Sequence, residues 1–60
     1  MFSIEKVYTL MMSDPNIELV TSKKGRKHTN RYYRMGILHI VVIIDNSTMD
    51  IIGIKISKMF

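Results

Sequence analysis

Six of the nine basic residues lie within one short stretch: Lys23, Lys24, Arg26, Lys27, Arg31 and Arg34. No acidic residue interrupts them. Arginine presents a planar fork of donors that matches the oxygens of a phosphate. Gly25 sits inside the run, and a glycine free to take positive φ would let backbone N–H groups converge on an anion. His28, Thr29 and Asn30 add short polar groups. The expected site is therefore anion-binding and comprises Lys23, Lys24, Gly25, Arg26, Lys27, His28, Thr29, Asn30, Arg31, Tyr33 and Arg34. Arg26, Lys27, Arg31 and Arg34 are expected to carry most of the binding, with Lys23 and Lys24 steering. The plainer reading of the same run is a solvated hairpin tip that keeps an apolar chain in solution.

Tyr32 and Tyr33 follow Arg31 directly. Neighbours on a strand point to opposite faces, so one tyrosine enters the core and the other faces outward. An outward tyrosine beside an arginine can stack on a base. Arg31 and Tyr33 share one face, and Tyr32 and Arg34 share the other. Tyr33 is the expected stacking partner because of its neighbour Arg31.

His28 and His39 titrate near neutrality and are the only histidines. Histidine with tyrosine and arginine is the equipment of a metal-independent ribonuclease. The structural alternatives are a loop or ligand-contact role for His28 and a strand histidine at an oligomer interface for His39. Glu5, Asp14, Glu18, Asp45 and Asp50 are scattered along the chain, which argues against a two-metal hydrolase. There is no Gly-x-x-x-x-Gly-Lys loop and no nucleophile elbow. No catalytic residue, metal site or cofactor is expected.

The elements that must position these residues fit into one domain over residues 1–60. Ser3 to Ser13 reads as a short amphipathic helix, with Ile4, Val7, Tyr8 and Met11 on one stripe. Ser3 is its N-cap and Asp14-Pro15-Asn16 its stop. Ile17 to Thr21 is a short strand, and Ser22 to Asn30 a basic loop. Arg31 to Met35 resumes as a strand. Gly36 marks a bulge or bend that leaves Arg31–Asp45 one long bent strand. Ile37 to Asp45 is rich in valine and isoleucine, and Met49 to Ser57 is the last strand. The fold class is α+β, one short N-terminal helix packed on a small antiparallel β-meander of three to four strands. A three-residue turn, Asn46 to Thr48, places Leu38 opposite Ile56 and puts the two even-numbered apolar stripes on the face covered by the helix. The other face would carry His39, Val41 and Ile43 beside Ile51, Gly53 and Lys55. It is too apolar to stand in water, so it is expected to meet a second subunit.

A core of this size supplies only about 3–5 kcal/mol. There is no cysteine, hence no disulfide and no thiolate metal site. With 47% hydrophobic residues, self-association into a dimer or higher homo-oligomer is the remaining support. The longest apolar stretch, Ile37 to Ile44, is broken by His39 and is too short to span a membrane. MFSIEKVYTLMM lacks the basic start and long apolar run of a signal peptide, so the cytoplasm is the default compartment. A net charge of +4 points to anionic partners.

The stretch ILHIVVIIDNSTMDIIGIKIS, about a third of the chain, resembles the sheet of small bacterial ribonuclease toxins of the interferase type. The second helix usual in those toxins is missing here. That resemblance goes with the alternative activity, a small metal-independent ribonuclease or toxin, for which the residue types offer His28, Tyr33 and the arginines. The leading expectation is a non-catalytic homo-oligomer that binds a phosphate-rich ligand: a nucleotide, a nucleotide-derived signal or nucleic acid. A third reading is an inhibitor docking on an acidic or nucleic-acid-binding host protein. Abundant Ile, Lys, Met, Asn and Tyr fit an AT-rich coding sequence, as in a phage or a low-GC bacterium. In a phage, such a chain would act against host defence by sequestering an immune nucleotide.

Overall fold

The computed structural model describes residues 3–58. Helix α1 spans Ile4–Met12 and is followed by strands β1 (Ile17–Lys24), β2 (His28–Met35), β3 (Leu38–Asp45) and β4 (Ile51–Lys58). The strands form one antiparallel sheet in the order β1-β2-β3-β4. This is the expected helix-on-meander arrangement, with four strands.

Ser3 enters the helix in an extended conformation, and its carbonyl accepts the Val7 N–H at 3.1 Å. Its side chain makes no capping bond. At the other end the Ser13 hydroxyl donates back to the Thr9 carbonyl at 2.8 Å. Asp14 then accepts the Asn16 N–H on its carboxylate at 2.8 Å, turning the chain into β1. Met11 is buried, and Ile4, Val7 and Tyr8 are half-buried, so the stripe read from the sequence is the packed face.

The basic segment is more ordered than its polarity suggests. β1 runs on to Lys24 and β2 begins at His28, so Ser22–Lys24 and His28–Asn30 are strand and not loop. Ser22 faces Arg31, Lys23 faces Asn30 and Lys24 faces Thr29. A backbone ladder needs paired N–H and C=O groups, not apolar side chains, so hydropathy misses it. Gly36 does not bend a continuous strand. With Ile37 it forms a two-residue turn, closed by the pair Met35 and Leu38. Its φ of +61° is the positive first position that a tight hairpin of this type uses.

Register also differs from expectation between β3 and β4. Ile40 faces Ile56, and Leu38 faces Lys58. Even residues still oppose even residues along Leu38–Val42, so both stripes do share the helix face. The connecting turn is longer because the Asp45 carboxylate folds back onto Ser47 and Met49 adopts φ +63°. A bulge then sets Ile51, not Ile52, opposite Ile44. Ile51 accordingly packs on the core and not with His39 and Val41 on the other face.

The core is Met11, Tyr33, Ile40, Val42 and Ile44, with Tyr8, Ile17, Met35, Leu38, Ile51 and Ile54 packed around it. Tyr32, His39, Val41, Ile43, Gly53 and Lys55 belong to the uncovered face by strand alternation. No helix among the described residues is long and apolar enough to cross a membrane.

Candidate anion-binding site

Only three residues, Gly25 to Lys27, connect β1 and β2. The Gly25 N–H donates to the His28 carbonyl at 2.7 Å and closes the turn. The neighbouring β3–β4 turn holds this loop from the side. Asn46 Nδ2 donates to the Gly25 carbonyl at 2.9 Å and reaches the Arg26 carbonyl at 3.4 Å. The Asn46 backbone N–H donates to the Lys27 carbonyl at 2.9 Å. Asn46 Oδ1 in turn accepts the Thr29 hydroxyl.

Three successive carbonyls are thus turned toward one asparagine. All described peptide bonds are trans, so each following N–H points the opposite way. The Arg26 and Lys27 N–H groups therefore face away from Asn46. Neither has a hydrogen-bond partner among the described residues. Lys23, Lys24, Arg26 and Lys27 are exposed around them, and with Gly25, His28 and Asn30 they line a shallow polar depression. Two outward amides on a tip with four exposed cationic residues form a donor surface of the kind that receives anions.

This cluster contains most of the residues expected from sequence. Gly25 lies in it for a different reason than expected. Positive φ occurs at Gly36 and Met49 among the described residues, and not at Gly25. A Cβ at Gly25 would instead stand 3.0 Å from the His28 carbonyl oxygen. Thr29 serves the site from behind, through Asn46.

Three expected residues lie elsewhere. Tyr33 is 5% exposed and belongs to the core, so it is not the outward tyrosine. Tyr32 takes that place, on the uncovered face with Arg34. Arg31 points to the helix side, where it neighbours the Tyr8 phenol. Burial, then the contact with the Tyr33 phenol, push the Tyr8 hydroxyl above its ordinary value, while Arg31 pulls it down. Arg34 pairs with Glu18 at 2.9 Å across the β1–β2 ladder. It is six residues along β2 from His28, about 20 Å from the tip. Alternation on β2 therefore separates the arginines that the linear sequence grouped together.

Two residues at the site escaped the sequence reading. Asn46 sits in a polar run, Asp45-Asn46-Ser47-Thr48, that signals a turn but not its neighbour. Asp45 lies opposite His28 in the β2–β3 ladder. Its carboxylate accepts the Ser47 hydroxyl at 2.7 Å and the Ser47 N–H at 2.8 Å. Those bonds, with a smaller contribution from His28, hold the Asp45 carboxyl below the usual carboxylate value. Comparison with family models, curated proteins and solved structures yields no match.

Proposed function

We propose that this chain is a non-catalytic, homo-oligomeric binding protein whose β1–β2 tip captures the phosphate of a nucleotide, a nucleotide-derived signal or nucleic acid. The carrying observation is the pair of outward N–H groups at Arg26 and Lys27, on a tip with four exposed cationic residues and fixed from behind by Asn46. In a phage, such a protein would sequester a host immune nucleotide.

The test is a titration of nucleoside polyphosphates and short oligonucleotides against wild type, Arg26→Ala and Lys55→Ala. A charge-assisted hydrogen bond contributes roughly 1.5–3 kcal/mol. Loss of one at Arg26 corresponds to about ten- to hundred-fold weaker binding. Lys55, in the middle of β4, is the charge-matched control. Equal weakening by both substitutions would mean diffuse attraction without a site. A steep salt dependence selects an extended nucleic acid, and a shallow one selects a compact nucleotide.

One observation favours the ribonuclease reading: His28 lies across from Asp45 beside the cationic tip. The Asp45 carboxylate is engaged by Ser47, and no described hydrogen bond joins it to His28. Metal-independent RNA cleavage lost in His28→Ala would select that reading over binding alone.

A further inference from the structure

The sheet has two edges, and they differ. Each carries two lysines, one bulge and two bare apolar side chains, Leu19 (60% exposed) and Val20 (61%) in β1, but the β1 bulge at Val20 interrupts the middle of its strand. A mid-strand bulge discourages strand addition. β4 is regular after its opening bulge and carries bare isoleucines: Ile52 is 48% and Ile56 57% exposed. Ile56 and Leu10 of α1, itself 66% exposed, line one shallow apolar groove on the helix side. Every second residue of an edge strand also leaves its N–H and C=O without a strand partner.

We infer that β4 is the self-association edge and that two copies pair antiparallel through it, about a two-fold axis at Ile54. This rests on the homo-oligomer part of the proposal above and is independent of the anion ligand. With that axis, Ile54 meets its own copy and Ile52 meets the partner subunit's Ile56. Asp50, just before the opening bulge of β4, comes to the same end of the seam as the partner subunit's Lys58. The register follows from charge and hydropathy together. An axis at Gly53 sets Asp50 against an isoleucine. An axis at Lys55 sets that lysine against its own copy and Ile52 against Lys58. Like charges directly opposite destabilise a ladder, and opposite charges and apolar pairs stabilise it. The same residue parity is kept on both copies, as a two-fold antiparallel pair requires. The result is one continuous eight-stranded sheet with both helices on the same side. The two basic tips remain free.

The chain has no cysteine, so engineered disulfides report the register cleanly. Directly opposed antiparallel residues have Cα atoms about 4.5–5.5 Å apart, inside the range a disulfide spans. An equimolar mixture of Ile52→Cys and Ile56→Cys proteins should form a linked dimer under mild oxidation, and either protein alone should not. Asp50→Lys should shift the wild-type dimer toward monomer in sedimentation, and Asp50→Lys with Lys58→Asp should restore it. A wild-type monomer at micromolar concentration would overturn both the inference and the homo-oligomer reading. A dimer without the mixed cross-link would place the interface elsewhere. That result would overturn the β4 pairing while leaving the homo-oligomer reading intact.

Discussion

Asn46 and Gly25, twenty-one residues apart, are joined by a 2.9 Å hydrogen bond from carboxamide to carbonyl. Through it the β3–β4 turn fixes the shape of the β1–β2 turn. The consequence is electrostatic: a loop whose carbonyls are occupied on one side presents amide donors on the other. On the proposed reading, affinity for an anion at Arg26 and Lys27 depends on a residue that carries no charge.

Asn46→Ala should accordingly loosen the tip as well as lower stability. It removes the side-chain bonds to Gly25, Arg26 and Thr29. The net loss for a group of this kind is about 1–2 kcal/mol. Urea unfolding should show that drop, and a phosphate-ester titration should show weaker binding at unchanged net charge. Asn46→Asp keeps the acceptor for Thr29 but loses the donor and adds a negative charge. It should bind more weakly still. Equal affinity in wild type and both variants would mean that the loop amides take no part.

Gly25 and Gly36 should both resist alanine, for separable reasons. At Gly25 the new Cβ meets the His28 carbonyl oxygen at 3.0 Å, so the turn must open. At Gly36 there is open space, and the strain comes from φ +61°. That left-handed conformation costs an alanine about 1–2 kcal/mol. A D-alanine at position 36 of a synthetic chain prefers positive φ and should recover the loss. Thermal unfolding of wild type and these three variants separates the two mechanisms.

The adjacent tyrosines should divide between stability and surface. Tyr33→Ala empties a buried site beside Ile40 and Met11, and such truncations cost about 3–5 kcal/mol. For a core of this size that is comparable with the whole stability, so the variant should be largely unfolded by circular dichroism. Tyr32→Ala should remain folded. If the bound ligand carries a base that reaches the uncovered face, this substitution and not Tyr33→Phe should weaken binding.

Much of the fold was legible because its signals are local. The stripe Ile4, Val7, Tyr8 and Met11 marks α1, and the Pro15 turn ends it. Even-numbered residues of β3 and β4 share the core because alternation is fixed by the pleat. The details that failed depend on contacts between distant segments. The bulge that moves Ile51 to the core and the longer Asn46–Asp50 turn both follow from backbone conformations that hydropathy does not encode. At the site, proximity in sequence misled in one direction. Arg26, Arg31 and Arg34 are close along the chain, yet turn, helix face and uncovered face receive one each. Asn46, distant along the chain, is the residue that organises the tip.

The Asp45 turn should give the protein an acid-sensitive component. Its carboxyl is held below the ordinary value first by the Ser47 hydroxyl, then by backbone N–H groups. A depressed folded-state pKa means that the unfolded chain binds the proton more readily. Stability from this turn is therefore complete above the ordinary carboxylate value, about 4, and is lost as pH falls through the lower folded value. Asp45→Asn removes the titration while keeping an oxygen acceptor for Ser47. It should be less stable than wild type at pH 7 and show a shallower decline below about pH 4. Denaturant midpoints measured from pH 2 to pH 7 provide the comparison. Parallel curves would show that Asp45 does not set the acid limb. Because Asn46 follows Asp45 directly, acidification should also weaken the hold on the Gly25–Lys27 loop.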